Sequence, residues 1–499
     1  MKAKITLIAL LLLLSQLSIA QYQEGLDPSF GAKGISLFSE SYVKESGFYF
    51  GAIQPDGKIV AFTLGDIIRL NNDGTVDKSF GKDGFLTPAL EYEDGTPITN
   101  MNISWASVQN DGKLIFDGYD ADLNKSFLFR TNYDGSIDMT FGKKGKTTDP
   151  AGGVIPYVQP DGKIVAITYA PSSTQKLVRY HSNGVTDSSF GINGVVLQAG
   201  LEIKTDGIEV MADGRIVTLL DDFGAARYLP DGRPDSSFNH VGHNYIFDNS
   251  LGGPLSTSLA VCPDGKVWVA GFPIFGSPTP FILGRLKADG NVDSSFNGIG
   301  YKEYAHTAGD QNKCRDILLQ PDGKVILAGK VFNASTNQYN FGLIRIHPDG
   351  REDSTFGIDG RLMTQTSETD GSYKYDDLSK LLLQTDQKIL GLGTSFDKEI
   401  KSSIVRYYSN GKTSITEIPK SDQSVSIYPN PTDSKVYYKL PYNQKAEQLS
   451  LLNMQGQLML HTNQPKQNEI ETGSLPNGCY ILRIRSGTAV FTQKLCKYP

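Results

Sequence analysis

The sequence is poor in the residues that usually announce chemistry. Across 499 residues it holds four cysteines, two tryptophans and six histidines. The cysteines, Cys262, Cys314, Cys479 and Cys496, suit an oxidising compartment but are too sparse and unevenly spaced for a disulfide framework or a zinc site. There is no HExxH, no glycine-rich phosphate loop and no Ser/His/Asp set. A basic balance is lacking too. The net charge of −6 and a pI near 5.6 exclude nucleic acid as an expected partner and give anionic membranes nothing to attract. Downstream of Ala20 no apolar run approaches the roughly eighteen residues of a membrane span, so the mature chain is expected to have no transmembrane segment.

What is present is glycine, 52 residues of it, with 24 prolines, 10% aromatics and only 20% charged residues. That balance suits many short strands joined by tight turns, an all-β chain. At the start, Lys2 and Lys4 precede an apolar run from Ile5 to Leu14, and Ser18-Ile19-Ala20 supplies small residues for cleavage. Residues 1–20 therefore read as a signal peptide, and the chain is expected outside the cytoplasm.

From 21 to 412 two motifs alternate. The first is a turn: Pro55-Asp56-Gly57-Lys58 recurs with variations at Asn110, Pro160, Ala212, Pro263 and Pro321, and Thr385-Asp386-Gln387-Lys388 is a degraded seventh copy. Asp-Gly between apolar runs joins two antiparallel strands, because both central residues of a type I′ turn need positive φ. The second motif starts at an arginine closing an apolar strand and passes a second Asp-Gly turn to a phenylalanine, as from Arg69 to Phe80. Successive phenylalanines lie about fifty to sixty residues apart, room for four short strands. Such sheets must stack on one another. The first unit begins halfway through the second motif, at Leu26-Asp27-Pro28-Ser29-Phe30-Gly31, and the last stops halfway through it, at Arg406 to Gly411. Joined, the halves make a seventh motif, which predicts a closed seven-bladed β-propeller of four-stranded blades.

This alternation resembles the delta-60 repeat of bacterial secreted and surface proteins, with departures at Gln387, Asn239, Asn297 and Met211. The resemblance implies a propeller-like fold and no shared activity. After a polar linker over 413–424, residues 425–499 resemble the type A C-terminal sorting domain of the type IX secretion system of Bacteroidetes-like bacteria. Tyr428, Pro429, Asn430 and Pro431 open the match, Gly456 marks its middle, and Gly478 and Lys494 fall near its end. The resemblance implies a small β-sandwich read by the secretion translocon as partner, and a secreted or outer-surface destination. Cys479 and Cys496 flank a hairpin turn at Ser486-Gly487 and could face each other across it. Their pairing stays open.

The recurring polar residues are Arg69, Arg130, Arg179, Arg227, Arg285, Arg345 and Arg406, with Asp27, Asp77, Asp138, Asp187, Asp235, Asp293 and Asp353. A residue present in every unit maintains packing rather than defining one active site, and Asp-x-Ser/Thr suits an Asx turn. Bidentate Arg–Asp pairs are expected at or between neighbouring blades, with the arginine stem covering the phenylalanine and Arg406 meeting Asp27 across the closure. Calcium is the functional alternative, since Asn71, Asp73 and Asp77 offer oxygen ligands, without the spacing of an EF-hand; no other cofactor is expected. His240 and His243 read as part of a solvated loop, and Trp105 and Trp268 as core residues of strands.

Topology places both repeated turns on one face and the variable connections on the other. Tyr92, Phe272, Phe275, Tyr339, Tyr373 and Tyr375 stand in the variable connections and are the candidate ligand face. The expected function is a non-catalytic binding scaffold for a glycan or protein ligand, with a propeller hydrolase or lyase acting on glycans as the alternative.

Overall fold

The computed structural model describes residues 24–39, 47–63, 65–147, 154–169, 175–198, 201–247, 253–274, 279–306, 312–334, 336–366, 375–396, 398–412, 426–428, 432–440, 445–453, 458–463, 465, 468–476, 478–486 and 489–497. The signal peptide and the linker predicted from the sequence lie outside them. The chain divides into two compact units, Met1–Thr413 and Ser414–Pro499.

Among the described residues the first unit is all strand and turn, and its strands sort into seven antiparallel sets, six of four strands side by side and one, the second, in which Met101–Asn102 and Ala106–Val108 share one edge of Leu114–Asp120 and Lys125–Thr131 takes the other. The first set shows the pattern: Phe50–Ile53, Ile59–Phe62, Ile67–Leu70 and Phe85–Leu86 pair in sequence order. The first repeated turn joins strands one and two, and the second joins strands three and four. The middle strands are buried throughout, Ile59–Phe62 and Ile67–Leu70 alike, because each sheet is covered on both faces by its neighbours. The first strands of successive sheets lie side by side around the ring, and Tyr375–Leu383 of the last set adjoins Phe50–Ile53 of the first.

Closure uses both chain ends. The seventh sheet takes three strands from the C-terminal side, ending with Ile400–Tyr407, and its outer strand is Ile35–Ser39. Ile35 lies opposite Val405 and Ser39 opposite Lys401. The sixth and seventh sheets also touch through a single parallel pairing of Tyr339 with Tyr375.

The second unit is two antiparallel sheets. One contains Ser426–Tyr428, Lys435–Lys439 and Glu469–Glu471; the other contains Gln448–Asn453, Leu458–Asn463, Gly478–Ser486 and Ala489–Lys497. Alternate residues Val436, Tyr438, Leu449, Leu451, Leu482 and Ile484 form its core, the period expected of sheets buried on one face. Cys479 and Cys496 are directly opposite in the backbone register of the terminal hairpin, but their side chains are outside the described residues. Pro429, Asn430, Pro431 and Gly456 are outside them too, as is the Lys494 side chain. Tyr428 is exposed against Tyr437, and Gly478 opens the strand after the loop.

Candidate functional site

On the face of the propeller that carries the repeated turns, each sheet builds the same latch. Arg69 Nε stands 2.7 Å from Asp77 Oδ2, and the pairs Arg130–Asp138, Arg179–Asp187, Arg227–Asp235, Arg285–Asp293 and Arg345–Asp353 repeat it at 2.7–2.9 Å. At the closure Arg406 Nε lies 2.8 Å from Asp27 Oδ2 with both side chains buried, an ion pair without the hydrogen-bond alignment of the other six. The expected geometry needs two corrections. Each pair lies within one sheet, and the guanidinium is divided among partners instead of forking onto the carboxylate. Its Nη2 donates to the hydroxyl two residues after the aspartate, as Arg69 does to Ser79.

Its Nη1 donates to a backbone carbonyl in the next sheet's second turn. Arg130 reaches Ser182, Arg227 reaches Ala288, Arg345 reaches Ser409, and Arg406 closes the circle on Asn72. The guanidinium lies 4.6–5.0 Å from the centroid of the phenylalanine of its own motif in all seven sheets. That ring packs against the glycine of the next sheet's second turn. A Cβ on Gly135, at φ +90°, would come 3.0 Å from Phe80, so the turn needs glycine both for its backbone angle and for the neighbour's ring.

The first turn contributes a cation that the sequence reading missed. Lys58, Lys113, Lys163, Lys324 and Lys388 reach the same aspartates at 2.8–3.3 Å, and Arg215 stands 3.6 Å from Asp235. Lys266 of the fifth sheet pairs with Asp264 instead. Burial raises the Asp27 carboxyl, but hydrogen bonds from Ser29 and the charges of Lys388 and Arg406 outweigh it and bring it down to about 2. The calcium candidates face separate partners: Asn71 donates to Thr75, Asp73 accepts from Thr75, and Asp77 serves Arg69, Lys58 and Ser79. His240 is exposed at φ +62° and His243 opens an outer strand. Among the described residues no group of three or more His, Cys, Asp or Glu side chains is placed to hold a metal.

The opposite face is chemically uneven. Around the axis, where the first strands begin, lies a cavity of about 610 Å³. It is lined by residues of six sheets, Tyr49, Trp105, Ile155, Thr257, Arg315 and Asp377 among them. The first strands of the fifth, sixth and seventh sheets each carry an irregularity there, between Ser256 and Ser258, Cys314 and Asp316, and Leu378 and Lys380. The residues inserted by these bulges, Thr257, Arg315 and Ser379, all line the cavity. In the second sheet, Asp117 holds the corresponding segment by accepting from the backbone N–H groups of Ser104 and Trp105 at 2.8 and 2.6 Å. Burial pushes Asp117 up to about 6 despite these bonds.

Arg315 grips Asp377 with Nη2 at 2.7 Å and Nε at 3.2 Å, and Tyr375 donates to the same carboxylate at 2.7 Å. Trp105 is buried as expected and also lines this mouth, its ring centroid 3.6 Å from that of Phe50 and 5.4 Å from that of Tyr157. Trp268 is fully buried as expected.

Of the candidate ligand residues, the structure brings Tyr339 and Tyr375 together at 5.7 Å, with Lys330 Nζ 4.2 and 4.7 Å from their rings. Tyr92 lies apart in a groove of the second sheet, bonded to Asp120 and approached by Lys125. Phe272 faces Lys313, and Phe275 and Tyr373 are outside the described residues. The signal for the missed residues was positional. Six residues before each first turn the sequence reads Tyr49, Ser104, Val154, Asp206, Thr257, Arg315 and Ser379, one position of the repeat that varies from unit to unit, and five of the seven line the cavity.

A ring of stacked antiparallel sheets, sealed by its own first strand, defines a β-propeller, here followed by a β-sandwich. The Domain of unknown function (DUF5122) beta-propeller model matches residues 54–80, 109–141, 159–190, 262–296 and 320–356. The Secretion system C-terminal sorting domain model matches residues 426–498. The chain therefore carries DUF5122 propeller repeats and a type IX sorting domain, and it is a secreted or surface propeller protein.

Among solved structures it is similar to the extracellular domain of a protein described as a hybrid two component system from B. thetaiotaomicron, at 11% identity and TM-score 0.40. That match covers 93% of this chain and 59% of the other, so the chain spans under two thirds of that structure. PorZ, a surface component of the type-IX secretion system of Porphyromonas gingivalis, is similar at 12% identity and TM-score 0.27, covering 89% and 69%. The PQQ-bound aldose sugar dehydrogenase of Streptomyces coelicolor is similar at 13% identity and TM-score 0.36, covering 66% and 97%. No curated protein gives a significant match. No helix among the described residues is long and apolar enough to cross a membrane.

Proposed function

We propose that this chain is a non-catalytic binding scaffold, carried out of the cell by its sorting domain, whose ligand site is the channel mouth on the variable face. One observation carries the reading: unlike side chains from six sheets converge on one cavity of about 610 Å³, a size suited to a compact ligand. The alternative, a glycan hydrolase, needs two carboxyl groups flanking the scissile bond. Asp377 is the one carboxylate among the described lining residues, and Arg315 and Tyr375 already engage it.

Glycan-array and peptide-array binding, run beside a hydrolase and lyase screen, tests the proposal. Binding without turnover, lost when the mouth is altered, is expected; turnover of a glycan contradicts it. Removal of Val425–Pro499 is expected to leave the propeller folded, since the ring closes with its own strands, and to strand it in the periplasm. Normal surface delivery of the shortened chain would contradict the role given to the tail.

A further inference from the structure

The chemistry of the mouth narrows the ligand class, on the premise that the mouth is the binding site. Among the described residues that line it, only Arg315 and Asp377 carry charge, and they are spent on each other. An ionic ligand would have to break this pair or bring an uncompensated charge into a partly desolvated ring. Hydroxyls and rings supply most of the remaining lining: Tyr49, Ser379 and Thr394 offer hydroxyls to a ligand, while Ser104 and Thr257 donate to Asp117 and to the Ala270 carbonyl and keep an acceptor each. Tyr49 is the exposed ring among them. Hydroxyls spread around an aromatic platform match a polyhydroxylated ring with one apolar face.

The register explains how a repeated fold makes such a site. Tyr49, Ser104, Thr257, Arg315 and Ser379 occupy the same position, six residues before the first turn, so the backbone directs them to one opening, where they contribute a phenol, three aliphatic hydroxyls and a guanidinium. One residue further along the strands, Asp316 accepts from Ser258 at 2.7 Å, from Lys380 at 3.0 Å and from the Leu381 N–H at 2.7 Å. This ties together the inner strands of the fifth, sixth and seventh sheets behind the bulges. Residues converging from six sheets around an axial opening admit a chain by its end rather than along its length.

We propose that the channel mouth binds an uncharged oligosaccharide end-on, and that Tyr49, Ser104, Thr257, Arg315 and Ser379 are the residues that read it. The test is calorimetric titration of the full chain with neutral hexose oligosaccharides, and with uronate-containing and sulfated oligosaccharides of matched length, at low and high salt. The expected result is binding of a neutral oligosaccharide with little salt dependence. It is weakened about tenfold by Tyr49→Ala, abolished by Ser379→Trp, and unchanged by Ile192→Ala on the other face.

Preference for an acidic glycan with steep salt dependence would overturn the inference, as would neutral-glycan binding indifferent to Tyr49→Ala. Peptide binding at the mouth with no glycan binding would overturn it while leaving the scaffold reading intact. Hydrolysis of the bound glycan would overturn the scaffold reading itself. If Ser379→Trp fails to fold, the surface change Tyr49→Ala still decides.

Discussion

The two faces of the propeller spend the same repeat in opposite ways. On the face with the repeated turns, one position carries one residue: an arginine in every sheet, an aspartate eight residues on or across the closure, a phenylalanine beneath them. Uniformity there is mechanical. Each arginine ties its sheet to the next through a backbone carbonyl, the closure at Arg406 included. On the opposite face one position carries different residues, because the bulges near the axis turn repeat-equivalent side chains into a shared cavity. Sameness marks what holds the ring together, and difference marks where it meets something else.

The sharpest break in the comparison comes at the closure. Arg406→Ala leaves Asp27 buried with Lys388 as its remaining cationic partner, and removes the bond from the seventh sheet to Asn72 of the first. It should cost roughly 3 kcal/mol or more in urea unfolding, since an under-compensated buried carboxylate remains. A loss below about 1 kcal/mol would mean that the joint behaves as an exposed pair.

Acid should act on the same joints. The latch aspartates have depressed pKa values, Asp27 near 2 from 3.8 and the others shifted in the same direction. A lowered folded-state pKa contributes stability above the unfolded value and loses it as pH falls through the folded one. Asp27 alone therefore contributes about 2 kcal/mol at neutral pH, lost between about pH 4 and 2. The variable face and channel behave oppositely. Burial raises Asp117 to about 6 and Glu209 to about 7, so the folded chain holds their protons longer than the unfolded chain and stability falls as pH rises from about 4 to 7. Thermal scans across pH should show a maximum near pH 4 to 5. Asp117→Asn with Glu209→Gln should flatten the neutral side and leave the acid side unchanged.

Glycine substitutions refine the mechanical half. Gly135→Ala meets both a positive φ and the Phe80 ring at 3.0 Å, whereas Gly162→Ala meets a positive φ with nothing nearer than 3.9 Å. The first should cost about 2 to 3 kcal/mol and the second about 1 kcal/mol by chemical denaturation. The smallest effect separates two lysines. Lys163→Ala, which gives up Asp187, should lose about 0.5 to 1 kcal/mol, while Lys266→Ala, which serves only Asp264 on the surface, should lose almost nothing.

The mechanical face was legible from the sequence because its function depends on residue type at fixed spacing, so the Asp-Gly turns, the arginine and the phenylalanine repeat visibly. The split of Arg406 and Asp27 between the chain ends even announced the closure. The division of the guanidinium between sheets was not legible, since a carbonyl acceptor leaves no trace in residue identity. The mouth was hidden for a different reason. Searching for unusual loops found Tyr339 and Tyr375, which the structure places on strands instead; Thr257, Arg315 and Ser379 are on strands too and Tyr49 just before one, at a position whose variability makes it invisible to motif reading. Aligning the units on their first turn and asking which column changes would have found it.

Hydrogen exchange of the full chain, with and without the oligosaccharide that binds, tests the division between the two faces most directly. Slowed exchange should fall on 47–50, 104–106, 256–258, 313–316 and 376–380, with the turn segments 55–58 and 110–113 unchanged. Protection concentrated on those turns, with the inner-strand segments unaffected, would contradict it.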